Sequence, residues 1–273
     1  MLSEKISLAG RKTTLCRWPV KDRRAKLLIV HGLGEHIARY DAISKEFNEA
    51  GIEMVGFDQR GHGENPGRKG HVNSFDELLS DLDLFVEEEK CEVPLFMLGH
   101  SLGGLIAARY VEEHPDKLKG VVLSSGAFSS DNVSGFLKFI ANFFSVLFPT
   151  VAFSNGIDVK YLSRNPKIVE DYQKDPLVHN KITARLASEI FKNTDVVFRN
   201  AKSFTTPVLF VAGSEDRVVP HEGTKKLFSS VSSKDKKMII FDGGYHEIFC
   251  DPELSDKFRK TIVDWIVERL DKN

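Results

Sequence analysis

The run Leu95-Phe96-Met97-Leu98-Gly99-His100-Ser101-Leu102-Gly103-Gly104 constrains this chain more than any other stretch. Its apolar start follows Val93-Pro94 and predicts a buried strand. Leu105–Val111 then predicts a helix that runs to His114 and stops at Pro115. Ser101 therefore sits on a strand-to-helix corner. Such a corner crowds the backbone, and glycine at 99 and 103 removes the Cβ atoms that would clash. The serine Oγ is pushed out above the sheet. The Leu102 amide points to where an acyl oxyanion would form, and the helix start adds positive potential there. The pattern is G-x-S-x-G, a nucleophile elbow, and its specificity comes from the strand before it and the helix after it. A glycine-rich turn with an incidental serine would match the five residues but would not require those flanks.

The remaining chain bounds the chemistry. With 273 residues, 41% of them hydrophobic, it has material for one large domain or a core with an insertion. Its 38 basic and 39 acidic residues leave a net charge of −1, so no global field favours nucleic acid or an anionic surface. Cys16, Cys91 and Cys250 are too few and too scattered for a metal site or a disulfide framework, and neither metal nor cofactor is expected. Their odd number suits a reducing compartment. Met1-Leu2-Ser3-Glu4-Lys5 lacks the apolar core of a signal peptide, and no run of eighteen apolar residues occurs. The expectation is a cytoplasmic protein; oligomeric state is not legible.

Taken in order, Ile6–Leu8 and Thr13–Trp18 predict a hairpin around Gly10. Leu27–Val30, Ile52–Phe57, Gly120–Leu123, Val208–Val211 and Met238–Phe241 predict further strands. Asp41–Ala50, Phe75–Lys90 and Phe258–Leu270 predict helices. Apolar strands alternating with amphipathic helices imply an α/β fold: a mostly parallel central sheet flanked by helices, with its ligand crevice at the carboxyl ends of the strands. No apolar strand is visible from Gly126 to Thr206, and about eighty residues without structure are implausible in a compact domain. Residues 1–126 and 206–273 are therefore read as the core. Residues 127–205 are read as an inserted, mostly helical cap.

A serine hydroxyl needs a base, and the base needs an acid to fix its tautomer. His246 follows the last strand in Phe241-Asp242-Gly243-Gly244-Tyr245-His246. Asp216 follows the preceding strand in Gly213-Ser214-Glu215-Asp216; Glu215 is its rival, and Asp216 is preferred on motif position. The second oxyanion donor is expected from His31-Gly32-Leu33-Gly34-Glu35-His36, with the Leu33 amide chosen because glycine flanks it. His31, His62 and His100 read as loop-fixing residues. His36 and Asp41 form an H-x4-D pattern, taken here as chance.

These pieces, with Arg39-Tyr40, Gly61-His62-Gly63, Ser214–Arg217 and Gly244–His246, resemble the monoacylglycerol lipase and lysophospholipase branch of the serine α/β-hydrolases. Leu162-Ser163-Arg164-Asn165 and Asp175-Pro176-Leu177 resemble the cap of the same branch, so the likeness spans nearly the whole chain. The chain order Ser101, Asp216, His246 is that of α/β-hydrolases. The resemblance implies the α/β-hydrolase fold, the triad Ser101–Asp216–His246, oxyanion donors at Leu33 and Leu102, and a single-chain lipid ester as substrate. It also maps a polar glycerol pocket onto Glu35 and Arg39; an ordinary ion pair four residues apart is the alternative. At Phe249 the chain departs from the mammalian pattern, where a histidine helps bind the glycerol head. Lysophospholipase, acyltransferase and proline-iminopeptidase-like activities stay open, as does a ligand-binding scaffold without turnover. The apolar stretch Phe136–Pro149 is expected to line an acyl channel with one face. Its other face would touch a membrane as an in-plane anchor, unless the cap itself covers it.

Overall fold

The computed structural model describes residues 1–129 and 133–270, with the side chains of Phe136 and Leu137 outside the described residues. Strand β1 (Leu2–Leu8) turns through Ala9 and Gly10, both at positive φ, into β2 (Arg11–Trp18). That two-residue turn matches the natural twist of a hairpin. Next come β3 (Ala25–Val30), α1 (Ser44–Glu49), β4 (Ile52–Phe57), α2 (Asp76–Glu89), β5 (Leu95–His100), α3 (Leu102–Glu113) and β6 (Gly120–Ser124). After a long excursion the chain returns as β9 (Val208–Gly213), α7 (Glu222–Ser230), β10 (Lys236–Phe241) and α8 (Ser255–Leu270), two short strands having intervened. Among the described residues, eight strands form one sheet in the order β1-β2-β4-β3-β5-β6-β9-β10. Only the pairings of β1 with β2 and β2 with β4 are antiparallel.

Both faces of the sheet are covered, which is why its central strands are uniformly apolar rather than alternating. Leu28 and Val30 face the layer of α2 and α3, while Leu27 and Ile29 face that of α8. The two-residue period of β3 thus feeds two separate cores. The helix expected over Asp41–Ala50 is instead a 3-10 turn, Ile37–Ile43, passing into α1. Ile37, Tyr40 and Ile43 are all buried, and three-residue spacing puts them on one side of a 3-10 helix.

The excursion carries α4 (Gly135–Leu147), β7 (Ala152–Ser154), α5 (Pro166–Lys174), β8 (Lys181–Thr183) and α6 (Ala184–Arg199). The antiparallel pair β7–β8 was not visible in the sequence, because three-residue strands of mixed polarity leave no periodic signal. Asn165 caps α5 ahead of Pro166 at the first helical position, and the Thr183 hydroxyl caps α6. Leu186 and Val197 of α6 join the core over α3, and Arg109 Nε of α3 donates to Asn193 Oδ1 at 3.2 Å. The α4 helix packs on α6. Its far side and the segment after it leave Phe139, Phe143, Val146, Leu147, Phe148, Val151 and Phe153 exposed. No helix among the described residues is long and apolar enough to cross a membrane.

The carboxyl ends of β3, β5, β6, β9 and β10 share one edge of the sheet. Each chemically suggestive loop starts there. The crossing of α3 over β5 is close: a Cβ on Gly99 would strike the Gly103 carbonyl oxygen and meet Ala107 Cβ at 2.8 Å. Gly99→Ala should therefore cost about 1–3 kcal/mol of stability. The urea midpoint should fall at constant slope; an unchanged midpoint would mean that α3 lifts freely off the sheet.

Candidate active site

Ser101 adopts φ 54° and ψ −118°, a conformation that side chains rarely take. Backbone strain of this kind costs on the order of 1–3 kcal/mol and persists only where the surroundings enforce it. They do so here. Ser101 N donates to Ser124 O at 3.0 Å, and Ser101 O accepts from Gly104 N at 2.9 Å and Ala127 N at 3.0 Å. A Cβ on Gly103 would collide with the Val30 carbonyl, so only glycine lets α3 start this close to β3. Leu102 opens α3, and the first amides of a helix have no partner within it.

Beyond β9, Asp216 is buried and Glu215 exposed. Asp216 Oδ1 accepts from Val218 N and Val219 N, both at 2.9 Å, and its Oδ2 lies 2.7 Å from His246 Nδ1. Of the two carboxylates, Asp216 is thus the buried one and the one in contact with His246. Burial alone would lower the His246 pKa, but the charge and hydrogen bond of Asp216 outweigh it and raise it above 6.5. Ser125, also at positive φ, donates its hydroxyl to His246 O at 3.0 Å. Sequence reasoning missed Ser125, since a serine after a strand carries no signal of its partner.

Leu33 and Gly32 line the same pocket as Ser101, His100 and His246. His31 Nε2 accepts from Gln59 N at 2.9 Å, and its ring meets His62, which in turn meets His179. His31 and His62 thus fix loops, as their positions implied. His100 behaves differently. Its Nδ1 has no hydrogen-bond partner among the described residues, its ring lies 4.8 Å from that of His246, and burial followed by the His246 charge lowers its pKa to about 3. The H-x4-D residues part company: His36 Nε2 pairs with Asp175 Oδ2 at 2.8 Å, while Asp41 accepts from Trp18 Nε1 at 2.7 Å.

Glu35 and Arg39 do pair, at 2.7 Å, but within a larger buried cluster. Glu35 Oε1 also accepts from Gly32 N at 2.5 Å and from the Tyr40 hydroxyl at 3.1 Å, which ties it to the loop carrying Leu33. Arg39 places both terminal nitrogens on Glu247, each at 2.7 Å, and its guanidinium lies 4.6 Å over the Tyr172 ring. Burial pushes Glu35 toward protonation, yet Arg39, His31 and the Gly32 amide together keep its pKa below the usual value. Glu35, Glu247 and Tyr172 all line the pocket that holds Ser101 and His246. Glu247 and Tyr172 were not singled out from sequence; an acidic residue beside a candidate base, and a tyrosine five positions behind Leu177, gave no spacing rule to follow. Phe249 is buried, stacked on Tyr40 and edge-on to His100.

One pocket thus gathers a strained serine, a carboxylate-paired histidine and the glycine-flanked Leu33 loop, with the start of α3 directly after the serine. Such a set suits nucleophilic acyl transfer. In a histidine NMR titration, His246 should titrate above 6.5. In Asp216→Asn it should drop below that value, because burial persists while the counter-charge is gone. An unmoved midpoint would mean the pair does not form in solution.

Residues 21–253 match the family described as serine aminopeptidase, S33. An uncharacterized abhydrolase domain-containing protein of Dictyostelium discoideum is 32% identical over 99% of this chain, which spans 29% of that protein's length. A monoacylglycerol lipase of Mycolicibacterium smegmatis is 32% identical across 92% of this chain and 91% of its own. The crystal structure of Paleococcus ferrophilus monoacylglycerol lipase superposes with a TM-score of 0.88 at 39% identity, covering 94% of this chain and 99% of the other. With its mostly parallel sheet, the chain belongs to the serine aminopeptidase S33 family of α/β-hydrolases.

Proposed function

We propose that this protein is a cofactor-independent serine hydrolase that cleaves monoacylglycerol to fatty acid and glycerol. The observation that carries the reading is the strained Ser101 in one pocket with His246, itself paired with Asp216, and with Leu33 of the glycine-rich loop; the amides of Leu33 and Leu102 are assigned as the oxyanion donors in this reading. Ser101 attacks the ester carbonyl as His246 takes its proton, and Asp216 stabilises the imidazolium. The two amides hold the oxyanion. The glycerol leaves with the proton from His246, and water then releases the fatty acid by the same route. The names of the relatives support a single-chain lipid ester as substrate.

The head-group end supports glycerol over a phosphate-bearing head. Two carboxylates, Glu35 and Glu247, share the one guanidinium of Arg39, which leaves a formal charge of −1 beside the pocket. A glycerol hydroxyl donates readily to such a cluster. A phosphate would be repelled at low dielectric. In this reading Glu35 and Arg39 shape the glycerol subsite together with Glu247 and Tyr172. An amine would also be welcome there, so aminoacyl amides belong in the assay.

Residues 127–205 form the cap in this proposal, roofing the acyl channel with Ile157 and Leu162, which line the pocket. The outward phenylalanines support peripheral membrane contact: Phe139 is 65% and Phe143 52% exposed. Large exposed apolar patches on soluble proteins mark contact sites, and each inserted side chain contributes about 1.5–3 kcal/mol at most.

Purified protein should turn over monoacylglycerol at least about tenfold faster than lysophosphatidylcholine, diacylglycerol or prolyl amides, by kcat/KM. Ser101→Ala should lower ester hydrolysis roughly 10^4-fold and abolish labelling by a fluorophosphonate. Retained activity in that variant, or faster cleavage of the amides, would sink the proposal. Phe143→Asp should weaken binding to liposomes and slow long-chain monoacylglycerol hydrolysis while sparing a short soluble ester. Undiminished liposome binding would remove the membrane contact.

A further inference from the structure

The loop that carries His246 is held from the sheet side, where Ser125 donates to His246 O and Glu215 N to Gly244 O, but the amides of His246 and Glu247 are held by the cap. His246 N donates to Tyr161 O at 3.3 Å, and Glu247 N donates to Leu162 O at 2.8 Å. The Ser163 hydroxyl donates to Cys250 O at 3.1 Å. Arg164 then closes the row with a fork: Nε and Nη2 each lie 2.7 Å from one oxygen of Asp251. Asp251 is itself buried, and its Oδ1 also accepts from Glu253 N at 3.0 Å and Leu254 N at 2.9 Å. The same short segment reaches the loop of Asp216. Arg217 donates to the Tyr161 hydroxyl at 3.1 Å, with its guanidinium 4.9 Å over that ring.

The geometry points to Arg164 as a positioning residue for His246, with Tyr161–Arg164 acting as a clamp that keeps the base and its acid in register through the Arg164–Asp251 fork. This rests on the proposed roles of Ser101, His246 and Asp216. A buried amide needs a partner, and the main-chain N–H of His246 and of Glu247 find theirs on the cap. A bidentate guanidinium–carboxylate pair fixes orientation as well as distance, which a lysine in its place cannot do. Arg164 touches neither the pocket nor any reacting atom, so its effect must pass through His246. One structural consequence follows. The cap cannot lift as one body to admit substrate without loosening the base, so Tyr161–Arg164 stays seated and any opening occurs elsewhere in the cap.

The test uses full-length Arg164→Ala, Arg164→Lys and Asp251→Asn, a short soluble aryl ester that does not need the acyl channel, and a fluorophosphonate. Misplacing a catalytic group by a fraction of its reach costs heavily, so kcat for the short ester should fall about 10- to 100-fold in Arg164→Ala while KM hardly moves. The acid limb of the kcat/KM profile should shift to lower pH, because a loosened Asp216 contact no longer raises the His246 pKa. Arg164→Lys should recover only part of the loss, and Asp251→Asn should resemble Arg164→Ala. These two milder changes carry the test if Arg164→Ala does not fold. Variants that melt at lower temperature yet keep kcat and pH profile would overturn the clamp and leave a purely structural ion pair. If the wild type itself resists the fluorophosphonate, the proposed function falls. If the wild type reacts and the variants react equally fast, only the clamp falls.

Discussion

The close crossing of α3 over β3 and β5 is the constraint on which the rest of the molecule depends. Gly103 sits where any Cβ would meet the Val30 carbonyl, and Gly99 sits where one would meet Gly103. That contact forces the chain to turn within Ser101 at positive φ and starts α3 at Leu102. The start of a helix offers unpaired amides and positive potential at the same point. The strain at Ser101 and the unpaired amides beside it are thus consequences of one packing decision, held in place by the Ser124 and Ala127 backbone on either side.

Around that corner, burial acts on three ionisable groups with different outcomes. His100 and His246 are near neighbours and equally enclosed. For His100, burial and the neighbouring His246 charge outweigh the pull of Glu247 and Asp216, and it stays neutral, with a pKa of about 3. His246 has Asp216 at 2.7 Å and moves the other way. Glu35 would be expected to protonate in such a place, yet Arg39 keeps it ionised. Desolvation raises the stakes of each pairing and the partner sets the sign. A raised imidazole pKa at His246 beside a neutral His100, and an ionised Glu35, follow from where Asp216 and Arg39 reach.

The segment between β6 and β9 fastens the loops around Ser101. His36 of the loop carrying Leu33 pairs with Asp175, and the His246 loop hangs its amides on Tyr161 and Leu162. The two loops that flank Ser101 are therefore each tied to the insertion, at opposite ends of α5. Motifs that looked like mere family markers, Leu162–Asn165 and Asp175–Leu177, turn out to be the fastening points. The exposed phenylalanines lie elsewhere, on α4, just after it and on β7, so the fastened and the apolar exposed parts of this segment are separate.

Local sequence determined what local physics controls. Uniform apolar runs declared buried parallel strands, the glycines at 99 and 103 declared the corner, and the post-strand positions of His246 and Asp216 pointed to the histidine–carboxylate contact that forms between them. Such features need only neighbours in the chain, so they are legible in it. The 3-10 form of Ile37–Ile43 and the pairing of β7 with β8 were not, because both depend on what packs against short segments. Tertiary structure alone decided that Arg39 would bridge Glu35 and Glu247 across 208 positions of chain. It alone sent His36 to Asp175 rather than Asp41, and Arg164 to Asp251. A side-chain contact between distant loops is set by the register of the sheet and the docking of the insertion, and neither leaves a periodic trace in the residues that meet.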